Sequence, residues 1–357
     1  MIWLFAACSL GILTGFVLLW RVPRCELKSP PPLQPVSVII PARNEEQNLP
    51  ALLHSLRDSS VEPQEIIVVD DGSSDATALV ASRLGARVIA SRELPVGWTG
   101  KTWACAQGAE AATAEWLLFL DADAFFAPGG FAAVAALCGR EVDKASALSV
   151  LPYHLVQKPY EQLSFFFNLL MAFGAGGFGL AGEGRLFGQS LLMGRGLYEQ
   201  CGGHASVRGA ILENLALAAK IEAAGGQCVC RGGAGVLQMR MFPQGFAQLC
   251  EGWTKAFADG AAASDRRVLL LTVLWLSQLF ATGILVVVAH GWWRGGFVLL
   301  YLCFAVQLAR MARPIGSYGV LTFLLYPLPL LFFFAIFGQS LQRRVFKRKV
   351  SWRGRQL

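Results

Sequence analysis

Trp116-Leu-Leu-Phe-Leu-Asp121-Ala-Asp123 is an unbroken apolar run that ends in two carboxylates one residue apart. Consecutive large apolar residues in a short segment read as a strand buried on both faces, which is what a parallel sheet covered by helices requires. Asp121 and Asp123 then share a face where the strand ends and the chain turns. Carboxylate oxygens suit hard cations, and Mg²⁺ is typically held by one or two carboxylates together with the phosphates of a bound substrate. An isolated Asp-x-Asp has an ordinary explanation, a solvated turn after a buried strand. The neighbouring sequence decides between them.

Upstream, Val36-Ser-Val-Ile-Ile40 is a β-branched run closed by Pro41 and followed by Arg43, Asn44, Glu45 and Glu46. From about Asn48 a helical spacing begins, with Leu49, Leu52, Leu53 and Leu56 on one face. Glu65-Ile-Ile-Val-Val-Asp70-Asp71-Gly72-Ser73 repeats the pattern, a buried strand ending in acids, a glycine and a hydroxyl. A third strand near 86–90 precedes a helical stretch over 102–114 and the strand that ends at Asp121. Strands alternating with helices predict an α/β fold with a mostly parallel sheet, and ligands at the carboxyl ends of its strands. All the acidic loops fall at that one edge, so Asp121 and Asp123 do not stand alone.

In Val38-Ile-Ile-Pro41-Ala-Arg43-Asn44-Glu45-Glu46, Val68-Val-Asp70-Asp71-Gly72-Ser73 and Leu120-Asp121-Ala-Asp123, the chain resembles the family 2 glycosyltransferases, whose GT-A fold is Rossmann-like. Leu94-Pro95-Val-Gly97-Trp98-Thr99-Gly100-Lys101, followed later by Met239-Arg240-Met241-Phe242-Pro243 and Glu251-Gly252-Trp253-Thr254-Lys255, is similar to the membrane-bound branch that includes carotenoid (diaponeurosporenoate-type) glycosyltransferases. The resemblance spans residues 36 to 260. It implies inverting transfer of a sugar from a nucleoside diphosphate sugar, of UDP type, with Mg²⁺ or Mn²⁺ as cofactor. Carried over residue by residue, it implies donor binding by Pro41, Arg43, Glu45, Asp70 and Asp71. Asp123 would hold the metal, and Asp121 would assist through the ribose or the metal's water shell. Lys101, in a glycine-bearing loop that brings backbone close to a ligand, would lie near the diphosphate; a solvated lysine at a helix start is the plainer alternative. Arg240 matches part of the Gln-x-x-Arg-Trp element of processive relatives, lacks its Trp, and implies a diphosphate or acceptor contact.

An inverting transferase needs a base opposite the departing diphosphate, and a carboxylate of raised pKa can serve. The family carries Glu-Asp at the start of a helix, with the Asp as base, whereas here Glu213 is followed by Asn214. An amide cannot take the proton. Glu213 therefore becomes the candidate base, or the acceptor is itself an acid and the product a sugar ester. A helix-start charge favoured by the macrodipole is the ordinary explanation of Glu213. Asn214 also leaves open a catalytically silent membrane scaffold. Among enzymes, the alternative is a polyprenyl-phosphate or hopanoid-linked transferase. The loops Gly182-Glu183-Gly184-Arg185 and Gly202-Gly203-His204 are candidates to frame the acceptor.

Composition points to a membrane enzyme: 54% of residues are apolar and 15% charged, against about a quarter charged in soluble domains, and the mean hydropathy is +0.48. Ile2 to Trp20 is long enough to cross a bilayer and is followed by Arg21 and Arg24. No positive charge precedes it, unlike a signal peptide, so it reads as an uncleaved anchor over 1–24. The catalytic domain is expected over 34–264, membrane segments over 265–342 and a basic tail over 343–357. Val268 to His290, Phe297 to Leu308 and Val320 to Phe337 are the apolar runs. Three full crossings would leave the tail outside, yet Arg343, Arg344, Lys347, Arg348, Lys349, Arg353 and Arg355 place it inside. The break at Tyr326-Pro327-Leu328-Pro329 resolves this as a re-entrant or two-pass hairpin. Leu163 to Ala181 is apolar too, but a crossing there would separate Asp123 from Glu213, so it is expected to be core or interfacial.

The expected location is the cytoplasmic membrane, multi-pass, with the catalytic domain facing the cytoplasm and a lipid acceptor, an isoprenoid or carotenoid, drawn from the bilayer. The net charge of +7 is concentrated near spans, where basic segments attract anionic lipid. No basic, aromatic-bearing face of the kind nucleic acid requires is evident. The nine cysteines lack zinc-type spacing and are expected to be reduced thiols. None of the four histidines is assigned to a metal.

Overall fold

The computed structural model describes residues 1–25, 34–139, 142–174, 178–180, 186–210, 212–263, 265–345, 351–352 and 355–356. The loop at 182–185 and Lys347, Arg348, Lys349 and Arg353 of the tail lie outside the described residues. The chain forms two compact units, each discontinuous in sequence: Pro23–Tyr153 with Gly184–Arg240, and Met1–Val22 with His154–Glu183 and Met241–Leu357. This differs from the contiguous division expected from sequence. The described residues of 154–180 and the segment 241–263 pack with the long apolar helices instead of the sheet, and hydropathy alone does not distinguish the two apolar environments.

The described strands are Val36–Ala42 (β1), Glu65–Asp70 (β2), Arg87–Ala90 (β3), Trp116–Leu120 (β4), Ala124–Phe126 (β5), Ser146–Leu151 (β6), Tyr153–His154 (β7), Ser190–Gly194 (β8), Gln227–Gly232 (β9) and Leu237–Met239 (β10). Seven of them form one sheet in the order β3-β2-β1-β4-β8-β6-β9. Only β8 runs against its neighbours, pairing antiparallel with β4 and with β6. β4 is buried along its whole length, as its continuous apolar run requires. Ala42 pairs with Asp70 and Ile39 with Phe119, so β1, β2 and β4 end level and their polar loops share one edge.

Helices cover both faces. Leu49–Arg57 (α2) has Pro50 in its first turn, where a missing N–H costs nothing. It buries Leu49, Leu52, Leu53 and Leu56 completely, each contributing about 1.5–3 kcal/mol. Thr77–Arg83 (α3) lies on the same side. Gly100–Ala111 (α4) buries Ala104, Cys105, Gly108 and Ala109 on the opposite face. A Cβ on Gly108 would come within 2.4 Å of Ile39, so α4 crosses β1 at a separation only glycine allows. Further helices are Gly130–Ala135 (α5), Phe165–Gly174 (α6), Arg195–Gln200 (α7) and Glu213–Ala223 (α8).

The other unit is helical: Ile2–Leu18 (α1), Phe246–Ala263 (α9), Arg266–Val288 (α10), Trp292–Ala312 (α11), Val320–Leu324 (α12) and Pro327–Val345 (α13), with α6 among them. By length and composition α10 and α11 can cross a membrane. Gly11 and Gly15 bring α1 against its neighbours: a Cβ there would lie 2.6 Å from Gln278 and 2.5 Å from Gln307. Gln307 donates to the Ile12 carbonyl at 2.6 Å and accepts from the Trp275 indole at 3.2 Å, the small-residue contact with polar cross-links that apolar helices use in place of a hydrophobic drive. The third apolar run is broken. The helix breaks between α12 and α13, where Tyr326 donates to the Leu279 carbonyl at 3.2 Å and Tyr301 to the Leu324 carbonyl at 2.6 Å. Within the apolar stretch that begins at Leu163, α6 has 10 residues and buries Phe165, Phe166, Phe167 and Leu169.

Candidate active site

Two acidic loops at the carboxyl ends of β1 and β2 are knitted into one surface. Asn44 adopts a left-handed backbone, φ 55°, a conformation Asn tolerates better than most residues. There its side-chain oxygen accepts from the Ser74 N–H at 2.8 Å and its own N–H donates to the Ser73 hydroxyl at 3.0 Å. Glu45 N–H donates to Thr77 at 2.8 Å, and Glu46 accepts from the Ala76 N–H at 2.9 Å. Asp70 accepts from the Ser73 N–H at 3.2 Å and from its hydroxyl. Arg43 donates to the Asp71 carbonyl at 2.5 Å and approaches the Asp71 carboxylate at 3.9 Å. The fold thus gathers Pro41, Arg43, Glu45, Asp70 and Asp71 at one edge, and Asn44, Ser73 and Thr77 set their shape.

Asp121 follows β4 directly, its N–H donating to the Gln189 carbonyl at 3.0 Å. Asp123 follows in the turn before β5. Its ribbon partner is β10, where Met239 pairs with Ala124; one further step of that register sets Arg240 opposite Asp123. The donor set is oxygen-only. Among the described residues no cluster of three or more His, Cys, Asp or Glu could hold a metal, so a divalent ion, were it held by Asp121 and Asp123, would have to complete its shell with ligand phosphates and water, the usual condition of Mg²⁺.

Lys101 lies in the first turn of α4. Thr99 caps that helix, accepting from the Thr102 N–H at 3.2 Å. The Arg208 carbonyl accepts from the Thr99 N–H at 2.8 Å and the Thr102 hydroxyl at 2.7 Å. Gly97 supplies the positive φ of 84° needed to enter this turn. At the far end of α4, Arg195 donates to the carbonyls of Ala109, Ala112 and Ala114. The Lys101 ammonium is 2.6 Å from Asp121 Oδ1, 2.7 Å from Glu213 Oε1 and 3.2 Å from the Gly188 carbonyl. The ammonium thus pairs with two carboxylates at once and donates to a carbonyl.

Glu213 opens α8 and is buried, with 6% of its side chain exposed. Burial pushes its carboxyl above the usual carboxylate range; Lys101 opposes that shift and the Asp121 charge adds to it. Asn214 turns its amide away to donate to the Phe187 carbonyl at 2.7 Å. Cys105, one turn beyond Lys101, borders the same recess, and burial raises its thiol far above the range in which it would ionise. His204, also at the recess, is no open loop residue. A Cβ on Gly203 would strike the Tyr198 ring at 2.5 Å, and that close approach seats His204 Nδ1 3.0 Å from the Tyr198 hydroxyl. Burial, helped by the charge of Lys101, lowers its pKa to about 3, so the ring is neutral. Of these neighbours the sequence offers only His204, in a candidate acceptor loop; Gly188, Gln189 and Tyr198 carry no site assignment there because no local pattern links them to Asp121, and β8 brings the first two to it by pairing Leu120 with Ser190.

The model of the glycosyl transferase family 2 matches residues 37–196. The chain is 34% identical over 331 residues to the 4,4'-diaponeurosporenoate glycosyltransferases of Staphylococcus aureus strains MRSA252 and USA300, covering 90% of this chain and 88% of each relative. Among solved structures it is similar to the mannosyltransferase PcManGT from Pyrobaculum calidifontis in complex with GDP-Man and Mn²⁺. That likeness has a TM-score of 0.56 and 16% sequence identity and spans 97% of this chain and 96% of the other, a likeness of fold.

Proposed function

As the chain belongs to glycosyl transferase family 2 and is a glycosyltransferase of GT-A fold, we propose that it transfers a sugar from a UDP-sugar to an isoprenoid lipid, with inversion and with Glu213 as base. The observation that carries the reading is the pairing of a buried carboxylate of raised pKa, Glu213, with a strand-end carboxylate, Asp121, across one lysine. The nucleotide would lie along the edge formed by Pro41, Arg43, Glu45, Asp70 and Asp71. A divalent ion held by Asp123 and Asp121 would offset the charge that develops on the departing diphosphate. Glu213 removes the proton of the acceptor hydroxyl as its oxygen forms a bond to the sugar's anomeric carbon. The bond from that carbon to the diphosphate breaks, and its electron pair leaves with the nucleotide. Arg240, level with Asp123, would meet diphosphate or acceptor.

The long apolar helices support a membrane enzyme whose acceptor arrives from the bilayer, and the carotenoid acid in the relatives' name supports an isoprenoid as its class. That name also favours a second reading, a carboxylic acceptor. Such an acid is ionised near neutrality and needs no base, which fits Asn214 at the family's Asp position. Lipid extracts of cells with and without the gene test the function: a glycosylated isoprenoid present only with the gene is expected, and its absence overturns the proposal. Asp123→Ala should abolish metal-dependent turnover while the fold survives. A protein that never binds UDP with Mn²⁺ would be a scaffold instead.

A further inference from the structure

The position of Lys101 separates it from the role its sequence motif implies. Its Nζ lies between Asp121 and Glu213, at 2.6 and 2.7 Å, and donates to the Gly188 carbonyl at 3.2 Å, so two carboxylates already neutralise the charge that a diphosphate would need. The backbone behind it is fixed at both ends of α4, by the Thr99 cap and the Arg208 carbonyl at one end and by Arg195 at the other. Glu213 reaches into the site from a different helix. Among the described residues, Lys101 is the one cation recorded within salt-bridge distance of that carboxylate. Without it, Glu213 would have no cationic partner among the described residues, and the carboxylates of Asp121 and Glu213 would face one another.

We infer that Lys101 is a positioning residue that acts through Glu213: its ammonium aims the base carboxylate and ties it to Asp121, so that the acceptor-side and donor-side acids are held as one unit. It makes no direct contact with the donor's diphosphate. This rests on the reading of Glu213 as base. The bridging geometry also explains the chain's choice of residue types, since a lysine is a compact point charge on a flexible stem that can satisfy two carboxylates and a carbonyl at once.

The experiment is a double-variant cycle in the full-length protein, using Lys101→Met, Lys101→Gln, Glu213→Gln and the Lys101→Met/Glu213→Gln pair. UDP with Mn²⁺ is the binding probe, and UDP-glucose with a lipid extract of cells lacking the gene is the turnover probe. Lys101→Met should lower kcat by about 10²–10⁴-fold, the range for loss of a working base, while the Kd for UDP changes by less than about threefold. The pair should fall within about threefold of Glu213→Gln alone, because two residues that act as one unit do not add. Lys101→Gln, which keeps a hydrogen-bond donor, should recover part of kcat and guards against a misfolded Met variant. Loss of UDP affinity in both Lys101 variants would restore the diphosphate role and overturn the inference, as would additive losses in the pair. Silence of Glu213→Gln alone would instead remove the base, a distinct failure.

Discussion

At the residue scale, Asn214 and Glu213 divide two tasks. By family position an Asp at 214 would be the base, yet the Asn214 amide donates to the Phe187 carbonyl, which Ser149 also uses at 3.1 Å. An ionised Asp there would set a buried carboxylate against a carbonyl oxygen. Asn214→Asp should therefore cost about 1–3 kcal/mol at neutral pH and bring no gain in rate; denaturant unfolding followed from pH 4 to 8 should show the loss shrinking toward acid, where the protonated acid regains a donor. A stable Asn214→Asp enzyme with raised turnover would return the base to position 214. Glu213 carries the opposite expectation. Its raised pKa means the folded protein binds that proton more tightly than the unfolded chain, so its contribution to stability is full below the unfolded pKa and is lost as pH rises through the folded one. Activity needs the deprotonated form, so with an alcohol acceptor the acid limb of kcat should lie above the ordinary Glu value of about 4.3 and vanish in Glu213→Gln. A limb unchanged in Glu213→Gln would assign it to another group.

At the scale of elements, Glu65 fastens three adjacent parallel strands at their amino ends. Its carboxylate accepts from the Thr113 N–H at 2.6 Å, the Thr113 hydroxyl at 2.6 Å and the Ser37 hydroxyl at 2.7 Å, joining β2 to β1 and to the chain entering β4. Burial alone would raise its pKa, but the bonds from Thr113 and Ser37, with a smaller share from exposed Arg87, hold it below the usual carboxylate range. That stability is present above the unfolded pKa and lost as pH falls through the lowered folded value. Glu65→Gln should cost about 1.5–3 kcal/mol at pH 7, with the difference from wild type narrowing below about pH 4; equal losses at both pH values would sink the staple. Such elements were legible because each carries its own signal. β1, β2 and β4 are apolar runs ending in acids, and α2 repeats leucine at helical spacing. The antiparallel insertion of β8 was not legible, since its Ser190-Leu-Leu-Met-Gly194 reads like any buried strand. Nor was the clamp on Lys101, whose partners lie 20 and 112 residues away in sequence and meet only once the sheet has formed.

For the whole molecule, the helical unit gives direction to the apolar segments. Phe5 packs edge-on to Phe297 at 5.5 Å, Gln307 bonds Ile12, and Arg310 lies over the Trp20 ring at 5.5 Å, so α1 runs parallel to α11. Since α10 and α11 are joined by a short turn at Gly291 and pack together, the end of α1, the start of α10 and the end of α11 coincide. Arg21, Arg266, Arg267, Arg310 and Arg313 gather there. The broken hairpin obeys the same direction: Pro327 lies beside Gly283 and Phe334 beside Phe280, so α13 runs back along α10 toward Arg266. Its turn sits level with Leu279, about 20 Å along α10 at 1.5 Å per residue, which is short of the ~30 Å hydrocarbon thickness. In a bilayer, α1, α10 and α11 would cross while α12 and α13 enter and leave by one face. Positive charge marks the cytoplasmic side, so Met1 and the Gly291 turn should be outside and the tail inside. Cysteines introduced one at a time at Gly291 and at Gln356, in a variant freed of Cys228, Cys250 and Cys303, the three native cysteines that are not buried, decide it. An impermeant maleimide should label Gly291→Cys on intact cells and Gln356→Cys only after permeabilisation. Labelling of the tail from outside would mean that the hairpin crosses, and the basic cluster at the end of α1 would then need a reason other than orientation.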